Sequence, residues 1–515
     1  MSGFAISGVE HGETLFHLII RKLANYTSFI PLSEPFWKYV YDSHQNDPAR
    51  TFMEIGLVFF ALHYVFAKTY RIDSRNEIKL TEKEIDELVD EWSPEPLADP
   101  LTETEKLELE SIPILSGQFG SKQKTQDGKT LLNIATFNFL DMLNSEKIKN
   151  KAIEAVRTYG VGTCGPTGFY GTLDVHLQLE KVLADFLGTE AAILYPQGFS
   201  TISSVIPCFS KRGDLIVCDD GVNFSIQKGV QISRSNVRYF KHNDMEDLER
   251  ILNEVSLEDQ KHPKRLVPRR FVISEGIFFN TGDVCPLPKL IELKNKYKYR
   301  LILDESLSLG ILGPNGKGAA EHFGIPPTEV DIISGSLCNS ISASGGFAAS
   351  TAEIVERQRL GGASYVFSAS LPAALTITGL EGIRQLSEEG PELIAKLRSQ
   401  IDFTQKALAS VPYFQPLCGE EFRHSPVLHL RLQDQFSAGL STLEKSKTLQ
   451  EIVDECMNDG VLTTRAKYHP TQELQPLQPS IRFNVSIALT PEEIEKCIGT
   501  IKTVTQRVLA KRNLI

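Results

Sequence analysis

Asp304 and Asn339 are the two residues whose types and spacing say most about chemistry. Asp304 ends Tyr299-Arg-Leu-Ile-Leu-Asp304, an apolar run with the pattern of a buried strand. Asn339 lies in Gly335-Ser-Leu-Cys-Asn-Ser-Ile-Ser-Ala-Ser-Gly-Gly-Phe347, which follows a second such run, Val330-Asp-Ile-Ile-Ser334. Small polar residues and a Gly-Gly pair let the backbone there approach a ligand or another segment closely. An acid at the end of a buried strand, with a small-residue exit from the next, is a way to hold pyridoxal phosphate (PLP). The acid pairs with the pyridinium nitrogen, and a lysine on the following turn forms the Schiff base. Here the acid is present, but the lysine position holds Asn339, and an amide nitrogen forms no imine.

A second stretch is Tyr159-Gly-Val-Gly162-Thr-Cys164-Gly165-Pro-Thr-Gly168-Phe-Tyr170-Gly171-Thr172, with five glycines in fourteen residues. Glycines supply unusual dihedrals and admit a phosphate, a second loop or a second chain near the backbone. A tight structural loop has the same composition. Cys164 reads either as a small packed hydrophobe or as a contact residue. No histidine lies close by in sequence to activate it, so it is not read as a nucleophile.

The elements that must position these residues are apolar runs alternating with helical stretches. Strands are expected at Ala191–Tyr195, Asp214–Cys218, Val237–Phe240, Arg270–Ser274, Arg300–Asp304, Asp331–Ser334 and Gly346–Ala349. Leu173–Leu187, Asp244–Val255 and Leu287–Lys296 read as helices between some of them. Such alternation predicts an α/β fold with a mostly parallel sheet, whose ligands sit at the strands' C-terminal ends, where Asp304 and Asn339 fall. After about residue 380 helices and a few short strands, such as Val427–Leu432 and Ser480–Val485, predict a smaller α+β domain. The expected organisation is 1–70 N-terminal segment, 71–130 connector, 131–380 large domain and 381–515 small domain.

In the N-terminal segment, Leu15–Leu23 is apolar with basic residues at one end and reads as a membrane-surface or docking helix. Phe52–Ala67 is rich in Phe and Leu and is followed by Lys68, Tyr70, Arg71 and Arg75. It predicts a single membrane span at about 52–70 with a cytosolic basic flank. Thr81-Glu-Lys-Glu84 is a capping box opening a helix with Ile85, Leu88, Val89 and Trp92 on one face. The 515 residues are 41% apolar and 23% charged with a net charge of −11, which argues against binding nucleic acid. The basic run Lys261-His-Pro-Lys-Arg-Leu-Val-Pro-Arg-Arg270 reads as a solvated loop. Eight cysteines without a CxxC pair indicate neither a metal site nor a disulfide framework, in keeping with the cytosol.

The ordered motifs resemble a family. Gly171-Thr-Leu-Asp-Val-His176, Glu275-Gly276, Gly282-Asp283, Pro286-Leu-Pro288, Asp304-Glu305, Gly316-Lys-Gly318, Glu321-His322 and Phe367-Ser368-Ala369-Ser-Leu-Pro372 are similar to those of the α-oxoamine synthases. These are fold-type-I PLP enzymes that condense an amino acid with an acyl-CoA and release CO2. The resemblance covers about residues 130–510. The membrane-reaching extension and Gly162-Thr-Cys-Gly-Pro166 narrow it to the serine palmitoyltransferase branch.

Three departures bear on function. The family lysine is Asn339, the stacking histidine of the Asn-His-Ala-Ser motif aligns with Asn223, and Leu307 replaces the histidine of Asp-Glu-Ala-His-Ser. By the resemblance, Asp304 is vestigial and PLP is bound covalently by a lysine-bearing partner in a heterodimer. Phe367, Ser368 and Ala369 are then lent to the partner's site, and the loop of Tyr159, Gly162, Cys164, Gly165, Gly168, Tyr170 and Gly171 lies at the interface. The resemblance further implies L-serine and palmitoyl-CoA as substrates of the complex, an endoplasmic reticulum membrane address, a small activating subunit and Orm-type regulators. Two alternatives stand beside it: an autonomous enzyme using a displaced lysine, Lys228 or Lys317, and a pure scaffold.

Overall fold

The computed structural model describes residues 15–29, 33–66, 80–110, 112–417, 424–469 and 472–515. It falls into one unit up to Pro100 and a second from Leu101 to Ile515. The second unit is built on a seven-stranded sheet: β1 Ala191–Tyr195, β2 Leu215–Asp219, β3 Asn236–Phe240, β4 Arg270–Glu275, β5 Arg300–Asp304, β6 Ile332–Ser336 and β7 Gly346–Ser350. Each lies within two residues of its expected range. The shift at β2 has a local cause: the Asp214 carboxylate accepts from the Lys211 and Arg269 backbone N–H groups and so belongs to the turn before the strand.

Strand order is β1-β7-β6-β5-β4-β2-β3. Strands β2 to β6 pair in parallel, while β7 runs antiparallel to both β6 and β1. The connection explains the reversal. Residues 337–345 are too few for a parallel crossover, which needs about a dozen or more residues, so the chain turns straight back. That tight return places Asn339 beyond the C-terminal end of β6, beside the end of β5. All residues of β2, β6 and β7 are buried. This agrees with a sheet covered on both faces and with the continuous apolar runs.

The small sheet joins Phe414–Pro416, Val427–Leu432, Ile481–Asn484 and Thr464–Arg465, all antiparallel. Helices Thr442–Asn458 and Pro491–Lys511 accompany it, each opened by a capping box, Ser441 with Glu444 and Thr490 with Glu493. The helix Ala373–Leu408, 36 residues long, precedes it. A further sheet joins Leu115–Ser116, Lys122–Thr125 and Thr130–Asn133 to Val461–Leu462. The seven described cysteines are free thiols; Cys418 lies outside the described residues.

The first unit contains helices Leu15–Tyr26, Ser33–Asn46 and Pro48–Phe66. Pro48–Phe66 is long and apolar enough to cross a membrane, and almost none of it is buried. Its one acid, Glu54, is paired: Arg50 Nε donates to it at 2.8 Å and the Tyr39 hydroxyl at 3.2 Å. The Thr81 capping box forms and opens helix Glu82–Glu91, where Ile85, Leu88, Val89 and the following Trp92 are exposed. Lys68, Tyr70, Arg71 and Arg75 lie outside the described residues.

Candidate functional site

At the C-terminal ends of β4, β5 and β6 the side chains at the family's cofactor positions are engaged with this chain itself. Asn339 Nδ2 donates to the Ser306 carbonyl at 2.6 Å. Asn223 is the N-cap of helix Phe224–Ser233, its side-chain oxygen accepting from Ile226 N at 3.1 Å and from the Ser225 hydroxyl. Leu307 is buried in the core, where an imidazole would need hydrogen-bond partners. Asp304 Oδ1 accepts from Ser306 N at 2.8 Å.

Charge at this sheet end is held by two neighbouring acids. Glu275 stands opposite Asp304 in the β4–β5 register, and both are buried. Burial, and then the charge of Asp304, pushes the Glu275 carboxyl up to about 8. Burial likewise raises Asp304, against hydrogen bonds from Ser306 and Asn223. Glu275 accepts from the backbone N–H groups of Asn223 and Phe279, so it ties the helix entry to the β4 exit. Next to them Glu305, lifted by burial to about 7, accepts from Ala319 N and from the Ser308 hydroxyl.

These residues do not fit PLP. There is no amine at position 339 and no ring at 223 to stack on the cofactor. The two other lysines are engaged: Lys228 Nζ sits 4.6 Å over the Phe224 ring and donates to Gln231, and Lys317 Nζ lies 5.7 Å over Phe186.

The glycine loop and the Phe367–Pro372 turn are brought together. Ser370 joins them: its hydroxyl donates to Gly171 O at 2.6 Å and lies 2.8 Å from Thr163 Oγ1, and its N–H donates to Gly165 O at 3.0 Å. Pro166 and Ala369 form an isolated bridge. His176 fixes the far side, with Nδ1 accepting from Leu173 N and Nε2 2.6 Å from Leu371 O. Two of the five loop glycines, Gly165 and Gly171, are steric requirements. A Cβ on Gly171 would stand 2.1 Å from Gly165 O, and one on Gly165 would stand 2.9 Å from Phe169 O. Cys164 (φ +54°) and Tyr170 (φ +65°) hold left-handed backbone despite their side chains. Val161, Phe169 and Tyr170 of the loop and Phe367 of the turn are exposed, leaving large apolar groups of both segments uncovered.

Two further clusters were not anticipated. Near Phe279 and Arg482 a cavity of about 200 Å³ is lined by Asn280, His429, Lys467 and Tyr468 among others. The Arg482 guanidinium lies 4.4 Å over Phe137 and 5.5 Å over Phe279, and among the described residues its buried Nε has no hydrogen-bond partner. Burial lowers Arg482 to about 10 and, with Arg482 nearby, lowers His429 to about 3. Such a guanidinium is suited to an anion. Elsewhere, His242 sits between Asp219 (2.9 Å) and Asp283 (3.0 Å). Burial raises the Asp283 carboxyl, but His242, Thr281 and Asn243 outweigh it and hold the group below its usual range. Both clusters join segments remote in sequence, so neither carries a local signal.

The model of the family described as aminotransferase class I and II matches residues 129–501. Serine palmitoyltransferase 1 of Dictyostelium discoideum is 42% identical over 455 residues, covering 88% of this chain and 93% of that one. Serine palmitoyltransferase 1 of Saccharomyces cerevisiae is 36% identical, over 93% of this chain and 92% of the relative. A solved serine palmitoyltransferase variant from S. paucimobilis, with a bound PLP–myriocin aldimine, superposes with a TM-score of 0.67 at 24% identity, covering 83% of this chain and 96% of that one. That likeness shows the fold. The chain belongs to the aminotransferase class I and II family of PLP-dependent fold type I, and within it to the group of serine palmitoyltransferase 1 chains.

Proposed function

We propose that this chain is the subunit of a serine palmitoyltransferase that does not itself carry PLP, and that it works as a heterodimer with a lysine-bearing relative. The complex condenses L-serine with palmitoyl-CoA to 3-oxosphinganine, with uptake of a proton and release of CoA and CO2. The observation that carries this reading is the Asn339 amide, bonded to the Ser306 carbonyl where the family places its Schiff-base lysine. When bound in the partner, PLP supplies the electron sink for the carbon–carbon bond-forming step.

This chain's residues act on shape and assembly. The glycine loop around Cys164 and the turn Phe367-Ser368-Ala369, locked together by Ser370, form a wall of the partner's site. Their uncovered apolar side chains are the surface that the partner buries. Pro48–Phe66 is the single membrane span, with the body in the cytosol at the endoplasmic reticulum. The Arg50–Glu54–Tyr39 cluster near its start keeps the one acid paired. A small activating subunit and Orm-type membrane regulators complete the assembly in this reading.

Borohydride trapping of PLP on the purified chain, alone and with its lysine-bearing relative, tests it. Label on the relative only, with condensation in the pair only, is the expected result. Label on this chain alone overturns it, and the modified peptide would identify the lysine used.

A further inference from the structure

The run from Lys261 to Arg270 forms an exposed loop between helix Met245–Lys261 and β4. Its base is fixed by two ion pairs, Arg269 with Asp214 at 3.1 Å and Arg270 with Asp259 at 2.5 Å. A turn, Arg265 N to His262 O at 2.9 Å, and prolines at 263 and 268 shape the rest. Among the described residues no carboxylate pairs with Lys261, Lys264 or Arg265, on a chain whose net charge is −11. With His262 and Pro263 these three line an open concavity of about 740 Å³. Directly after them come Leu266, 92% exposed, and Val267, 69% exposed.

A solvated loop accounts for the cations and leaves the two aliphatic side chains unexplained. A protein surface would cover the aliphatics but would need its own carboxylates for the cations. An anionic lipid surface answers both, since phosphates meet the cations and the acyl boundary takes Leu266 and Val267.

We propose that Lys261–Val267 is a second membrane contact, in which Lys261, Lys264 and Arg265 bind anionic phospholipid headgroups and Leu266 and Val267 enter the headgroup–acyl boundary. It rests on the membrane reading of Pro48–Phe66. The loop leads into the N-terminal end of β4, at the opposite end of the parallel strands from Asp304, so docking leaves the sheet end and its interface loop uncovered.

The test uses the full chain in lipid nanodiscs, with L266C carrying an environment-sensitive fluorophore. The chain without that substitution, treated alike, supplies the background from native thiols. Discs of phosphatidylcholine alone are compared with discs that also contain phosphatidylserine. The expected result is a blue-shifted emission, quenched by headgroup-proximal bromolipids, in the phosphatidylserine discs. K261Q/K264Q/R265Q should weaken that docking on the order of a hundredfold, about fivefold per basic residue. Solvent-like emission in both discs, with the chain incorporated, overturns the contact and leaves the span standing. A shift produced equally by inorganic phosphate in phosphatidylcholine discs overturns it in favour of a soluble anion. A buried label that bromolipids do not quench, but that cross-links to protein, overturns it in favour of a protein partner. A chain that does not enter nanodiscs overturns both the span and the contact.

Discussion

Glu275 on β4 and Asp304 on β5 stand directly opposite each other on adjacent parallel strands, with both carboxyls buried. Burial, and then the charge of Asp304, pushes the Glu275 carboxyl up to about 8. In an enzyme of this fold a cofactor's positive ring would sit against the aspartate.

The sign of the resulting pH dependence follows from linkage. Glu275 is raised from 4.5 in the unfolded chain to about 8 in the folded one. Its contribution to stability is therefore full below pH 4.5 and is lost as pH rises through 8, a change on the order of a few kcal/mol. Asp304→Asn removes the neighbouring charge and keeps an acceptor for Ser306 N. The variant should melt close to the native chain at pH 5 and several degrees above it at pH 8, measured by thermal denaturation. Equal melting differences at the two pH values would mean that the acids are not coupled.

Restoring the lysine alone should not restore cofactor binding. In Asn339→Lys the new amine would find Asn223 committed as an N-cap and Leu307 in the core. Borohydride treatment with PLP should leave no label at position 339. A stable adduct there would show that the lysine was the only missing part.

Much of this arrangement is legible in the sequence, and the rest has definite reasons for being hidden. The seven strands read out because each is a nearly continuous apolar run between turn residues, and the departures at Asn339, Asn223 and Leu307 lie inside recognisable motifs. The order of the strands does not read out. The reversal of β7 follows from the nine residues between β6 and β7, a spacing that acquires meaning only once both strands pair. The Glu275–Asp304 opposition depends on register between strands joined by a helix. The Arg482 stack on Phe137 and Phe279 assembles three segments separated by well over a hundred residues each, beyond the reach of any local pattern.

The glycine loop tolerates no side chain at Gly171. A Cβ there would stand 2.1 Å from Gly165 O and 2.7 Å from Pro166 O, and both are backbone atoms that cannot swing aside. Gly171→Ala should cost about 1–3 kcal/mol of stability, as overpacking does. It should also weaken assembly, because the loop that shifts carries the exposed Phe169 and Tyr170. Co-purification with the lysine-bearing relative, alongside circular dichroism of the free chain, separates the two effects. Normal assembly with a displaced loop would remove this loop from the interface.

Cys164 distinguishes a wall of the partner's site from a scaffold. Its backbone is left-handed, at φ +54°, a conformation that glycine adopts without cost. Cys164→Gly therefore deletes the side chain without straining the fold, and the complex should assemble normally. If the thiol contacts the partner's substrate site, activity of the complex falls by about tenfold, equivalent to about 1.4 kcal/mol of transition-state stabilisation. A steady-state assay of the purified pair, normalised to bound PLP, reads this directly. Unchanged kcat and KM would leave the loop a purely structural element. A rise in KM for one substrate alone would identify which substrate passes Cys164.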